Sequence, residues 1–117
     1  MLTGDAEVST TRTKHTCVEK LARLFPSALP VRIPVHVTAL PAARRQLQEQ
    51  TLIEFGTARE VLFASSLPLE FEDRVRVMNS DGSLDARATV VAVRYHDGIK
   101  AVAARFLDNV ENWIIKS

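Results

Sequence analysis

Few side chains in this sequence are of the kinds that make or break bonds, and none stands in a recognisable catalytic frame. His15, His36 and His96 are far apart and fall in different predicted elements, so they lack the spacing of a metal site. The single cysteine, Cys17, can form no internal disulfide and cannot build a cysteine-rich zinc site. Near the N-terminus of a predicted helix a thiolate would be favoured, but a passive cysteine is the plainer expectation. No Gly-x-Ser-x-Gly elbow, phosphate loop or framed carboxylate pair is present, and no enzymatic activity is predicted.

What remains is recognition by guanidinium groups. Arg44 and Arg45 are adjacent in a predicted turn, where two donor forks would suit phosphate oxygens; solubility is the ordinary role of arginines placed so. Arg74, Arg76, Arg87, Arg94 and Arg105 fall on predicted strands, with Glu70, Glu72, Asp73 and Asp85 close enough in sequence to pair with them. That pattern predicts a solvated face of mixed charge rather than a nucleic-acid groove. Tyr95 beside Arg94 is the one stacking candidate. Phe55, Phe63, Phe71 and Phe106 fall on apolar faces and are expected in the core.

The bulk properties agree with a recognition domain. A chain of 117 residues makes one domain, and its apolar fraction of 46% and charged fraction of 25% are those of a globular protein. A net charge of +1 provides no global field for nucleic acid or membrane. The N-terminus is polar and carries acids, unlike a secretory signal, and no apolar run approaches the roughly 18 residues needed to span a bilayer. A cytoplasmic location is expected.

Residues 1–15 show no periodicity and are expected to be a disordered tail. Over 16–26 a short amphipathic helix is predicted. Thr16 and Glu19 form a capping box, Val18, Leu21, Ala22 and Phe25 make one apolar stripe, and Pro26 ends it. So short a helix must dock on its own domain or on a second chain. From Val31 the period changes to two, with Val31, Ile33, Val35 and Val37 on one face and Pro34 placing the strand at an edge or a bulge.

Further strands are predicted from about Leu47 to Phe55 and from about Arg59 to Ser65, then over "RVRVMN", "LDARATVVAVRY" and "IKAVAARFL". Gly82 supplies a positive φ to one turn, and "HDG" closes the clearest hairpin. Six strands with short connections and no crossover helix predict an antiparallel sheet closed into a barrel or sandwich. The tail "DNVENWIIKS" is anchored by Trp113.

The stretches "REVLFASSLPLEFEDRVRVMN" and "ARATVVAVRYHDGIKAVAARFLD", with "VRIPVHV" upstream, resemble a PilZ domain, a small bacterial barrel that is a receptor for cyclic di-GMP. The resemblance implies an all-β fold over residues 30–117: a six-stranded antiparallel barrel with a short N-terminal helix and a short C-terminal tail. The family holds its ligand with an Arg-x-x-x-Arg element before the first strand and an [Asp/Asn]-x-Ser-x-x-Gly turn after the second. Here Arg32 matches the second arginine and Ala28 stands in place of the first. Glu54 stands for the Asp or Asn, Gly56 for the Ser and Arg59 for the Gly.

One arginine is therefore kept in full and one acid in part. Each lost charge-assisted hydrogen bond is worth roughly 1.5–3 kcal/mol, so losing two or three weakens binding about a thousandfold or more. Arg59, Arg44 and Arg45 are the candidates to substitute. The expected function is a non-enzymatic signalling or protein-interaction module without a cofactor, its binding of cyclic di-GMP weak or lost. The alternatives are a working receptor using Arg32 and Arg59, and an oligonucleotide-binding barrel. A protein partner is expected, homodimerisation through the helix or the Trp113 tail is a candidate, and neither nucleic acid nor membrane insertion is.

Overall fold

A computed structural model describes residues 13–40 and 47–116. Six strands form a closed antiparallel barrel in the order β1-β2-β3-β6-β5-β4, with β4 returning to β1. They are β1 (Leu29–Leu40), β2 (Gln48–Gly56), β3 (Glu60–Ser65), β4 (Arg74–Asn79), β5 (Asp85–His96) and β6 (Ile99–Phe106). The six-stranded barrel read from the sequence is the fold observed.

Alternation sets which side chains enter. Val35 and Val37 of β1, Ile53 of β2, Val61 and Phe63 of β3, and Val75 and Val77 of β4 point inward and are buried. Val90, Val102 and Phe106 complete that core from β5 and β6. Because the side-chain period is two, a slip of one residue would turn this whole set to solvent. Pro34 pairs only toward β2, opposite Leu52, since the β1–β4 ladder begins one residue later at Val35; on its other side it is at an edge, where proline is tolerated. The hairpin between β5 and β6 has two left-handed residues, Asp97 (φ 51°) and Gly98 (φ 76°), the backbone of a tight two-residue turn.

A helix, α1, covers residues 13–22 and packs on the outside of the barrel. Cys17, Val18 and Leu21 are fully buried against Leu62 and Ala64 of β3 and Ala101 and Ala103 of β6. The small alanines let the helix approach the strands, while Ala22 and Phe25 extend the contact. The stripe is therefore used on the helix's own domain. Residues 13–15 are already helical, so Thr16 lies inside α1 and is not its cap; residues 1–12 of the expected tail lie outside the described residues. The helix closes through tighter bonds from the N–H groups of Leu24 and Phe25 to the carbonyls of Leu21 and Ala22 (3.0 and 2.9 Å), just before Pro26.

The C-terminal tail folds back over one end of the barrel. Trp113 is only 2% exposed; its indole meets Phe106 edge-on at 5.4 Å, and its Nε1–H donates to the Thr57 carbonyl at 2.7 Å. Both candidate contact elements, the helix stripe and Trp113, thus spend their apolar surface within the domain. Phe71 departs from its expected place: it is 65% exposed, at the tip of the loop between β3 and β4. Phe63 and Phe106 are in the barrel core, and Phe55 lies outside the barrel beneath α1.

Candidate functional site

The residues that the family resemblance brings together are divided by the fold. Arg32, on the outward face of β1, lines a cleft of about 600 Å³ with Glu54 of β2 and with Lys14 and His15 of α1. Leu52 and Ala64 give that cleft an apolar floor, and Gln50 and Thr51 supply polar groups. The Glu54 side chain is 12% exposed and is held by His15, whose Nδ1 lies 2.5 Å from Glu54 Oε1. The His15 ring also stacks on Phe55, with centroids 6.0 Å apart. The acid of the expected ligand turn is therefore engaged by the chain's own helix.

Arg59 faces elsewhere. It lines a different cleft, of about 730 Å³, formed with the tail through Asp108, Glu111 and Lys116. Its backbone belongs to a tight turn in which Thr57 Oγ1 accepts the N–H groups of Arg59 and Glu60 at 3.1 and 2.9 Å. Glu60 is buried, accepting from Thr57 Oγ1 and from Arg105 Nε at 2.7 Å. Arg44 and Arg45 lie outside the described residues.

Gly56 is the most informative position. A Cβ built there would lie 2.6 Å from Cζ2 of Trp113 and 3.2 Å from Cδ1 of Ile115. Glycine is required at this point because the indole rests on the backbone, not for unusual dihedral freedom. Where the resemblance calls for a serine hydroxyl, this chain has a bare backbone under a tryptophan.

The charged outer face matches the mixed-charge expectation in kind and, for Arg76 with Asp85, in partner, while Arg87 and Arg105 pair with other acids. Arg76 grips Asp85 with two bonds of 2.7 Å, Arg87 meets Asp108 at 3.5 Å and Arg105 meets Glu60. The first pair holds the Asp85 carboxyl below the usual aspartate range and raises the Arg76 guanidinium. Among the described residues no ion pair joins Glu70, Glu72 or Asp73 to a cation. Asp73 instead accepts the Glu70 N–H at 2.9 Å within its own loop.

The histidines engage separate partners: His15 takes Glu54, His36 takes Gln48, and His96 lies by Lys20 and Asp97. Cys17 sits well inside α1 and not at its start. Burial pushes its thiol up, opposite to an activated cysteine. Tyr95 is 64% exposed and has the Lys100 ammonium 6.0 Å from its ring centre.

Fold and site together define a small closed antiparallel β-barrel with one helix packed on its outer wall and a tail across one end. No helix among the described residues is long and apolar enough to cross a membrane. A scan against protein-family models returns no match, and a search of curated proteins returns no relative.

Proposed function

We propose that this domain is a non-enzymatic PilZ-like module of bacterial signalling that recognises protein, its binding of cyclic di-GMP weak or lost. The observation that carries this reading is the seating of Trp113 on Gly56, 2.6 Å from where a side chain would begin. A ligand approaching that turn would have to displace a buried indole from the core, at a cost of about 3–5 kcal/mol by analogy with tryptophan removal. Supporting it, Arg32 and Arg59 line separate clefts, so they do not form one guanidinium clamp.

A second reading, a working nucleotide receptor, has one specific observation in its favour. The Arg32 cleft also holds Lys14 and His15, cationic or protonatable groups that stand where the missing first arginine would be useful. Calorimetric titration of cyclic di-GMP into the purified protein, with Arg32→Ala alongside, separates the two. Absence of heat at high ligand concentration is expected. Micromolar binding that Arg32→Ala abolishes would overturn the proposal and establish a receptor with a rewritten motif.

A further inference from the structure

The loop between β3 and β4 carries an exposed aromatic ring on a rigid turn. Lys100, itself buried, donates from Nζ to the Leu67 carbonyl and, at 3.3 Å, to that of Leu69. At the other end of the loop the Glu72 N–H donates to Val90 at 2.9 Å, and the Val90 N–H donates to Asp73 at 2.7 Å. The tip closes on itself through the Asp73 N–H to the Glu70 carbonyl at 3.0 Å. Glu72 is left-handed, with φ 76°, a conformation that disfavours any residue with a side chain and persists only where its surroundings enforce it.

This clamped turn displays Phe71 to solvent, flanked by exposed Glu70, Glu72 and Asp73, none of them in an ion pair among the described residues. An aromatic anchor whose backbone is already ordered loses little further entropy on docking. Its chemistry calls for an apolar floor with a cationic rim. The cleft beside α1 is lined by half-buried Leu52 and the buried Ala64, and carries the Lys14 and Arg32 cations. Its one carboxylate, Glu54, is already engaged by His15.

We propose that the Phe71 turn docks in the Lys14–His15–Arg32 cleft of a second copy of this chain, its ring on the apolar floor and its carboxylates against the cationic rim. The proposal rests on the reading of the domain as a protein-recognition module and names the surface and partner for it. Unlike the helix stripe and Trp113, the Phe71 ring and the Lys14 and Arg32 side chains that would meet its turn are exposed. The contact is heterologous, so a dimer closes if the two copies exchange turns reciprocally, and chains form if they do not.

Sedimentation velocity on the full chain tests it, up to about millimolar protein, the range in which contacts with a single anchor are measured. The wild type is expected to shift to faster-sedimenting species, less so at high salt. Phe71→Ser and the double variant Lys14→Glu, Arg32→Glu should each associate at least about tenfold more weakly. An equimolar mixture of the two variants should associate again, because one retains an intact cleft and the other an intact turn. All three positions are exposed, and circular dichroism confirms that each variant keeps the sheet.

A wild type that stays monomeric throughout overturns the proposal, as does Phe71→Ser associating like wild type or a mixture no better than its components. Those outcomes leave the protein-recognition reading standing. That reading falls instead on micromolar cyclic di-GMP binding lost in Arg32→Ala.

Discussion

Gly56 and Trp113 illustrate how one residue's identity is decided by another far along the chain. The indole fills the volume that any side chain at Gly56 would need: a Cβ there would lie 2.6 Å from its Cζ2. Gly56→Ala is therefore expected to destabilise the barrel by about 1–3 kcal/mol through overpacking. Trp113→Ala should cost about 3–5 kcal/mol by leaving a cavity and an unpaired Thr57 carbonyl. In the double variant the Gly56→Ala penalty should largely vanish, which urea denaturation of the four proteins would read as coupling. Equal penalties in both backgrounds would mean that the indole does not set the glycine requirement.

The Arg76–Asp85 pair gives a pH prediction at the same scale. Asp85 has its folded-state pKa lowered by the Arg76 hydrogen bonds. Its contribution is thus complete above the unfolded aspartate value of about 4 and is lost as the pH falls through the lower folded value. Asp85→Asn should be slightly less stable than wild type at neutral pH. The two stability curves should draw together as the pH falls below about 4 and meet only below the lower folded value, where Asp85 is protonated in both states. A gap that persists in strong acid would show that the substitution acts by some route other than charge. Phe71 shows where residue-level reading fails: apolar character alone placed it in the core, whereas its three acidic neighbours were the signal of an exposed tip.

Among the elements, α1 was readable in its apolar stripe but not in its beginning. The Thr16–Glu19 pair has the spacing of a capping box, yet three earlier residues are helical, because docking on β3 and β6 rewards the continued helix beyond what its local cap dictates. The same docking buries Cys17 and raises its thiol, so the helix-dipole argument for activation lost to desolvation.

The loop between β3 and β4 depends on Lys100, a buried ammonium whose hydrogen-bond partners include two backbone carbonyls of the loop. Lys100→Met keeps the aliphatic stem but strands those carbonyls, at an expected cost of about 1–3 kcal/mol. Hydrogen exchange should then accelerate selectively in the loop, at the amides of Leu69, Glu72 and Asp73 that are bonded within it or to β5, and at Leu67, bonded to Ser65 of β3. Unchanged protection there would show that the ammonium is not the clamp.

For the whole molecule, six strands and an all-β class follow from features that act over a few residues: alternation of two, the glycines of the Asp-Gly turns, and the absence of crossover lengths. Their boundaries fall within a few residues of expectation because the turn residues punctuate them. The pattern left barrel and sandwich open, since both bury an apolar inward set; closure of β4 onto β1 is seen in the tertiary structure. Only the tertiary structure decided which candidate residues meet: Arg32 with Glu54, Lys14 and His15 in one cleft, and Arg59 with the tail in another. It alone placed Trp113 on Gly56 and Phe71 in solvent. The physical reason is range. Strand and turn signals are local sterics and hydrophobic period, whereas a site is assembled by contacts between residues tens of positions apart, for which spacing along the chain carries no information.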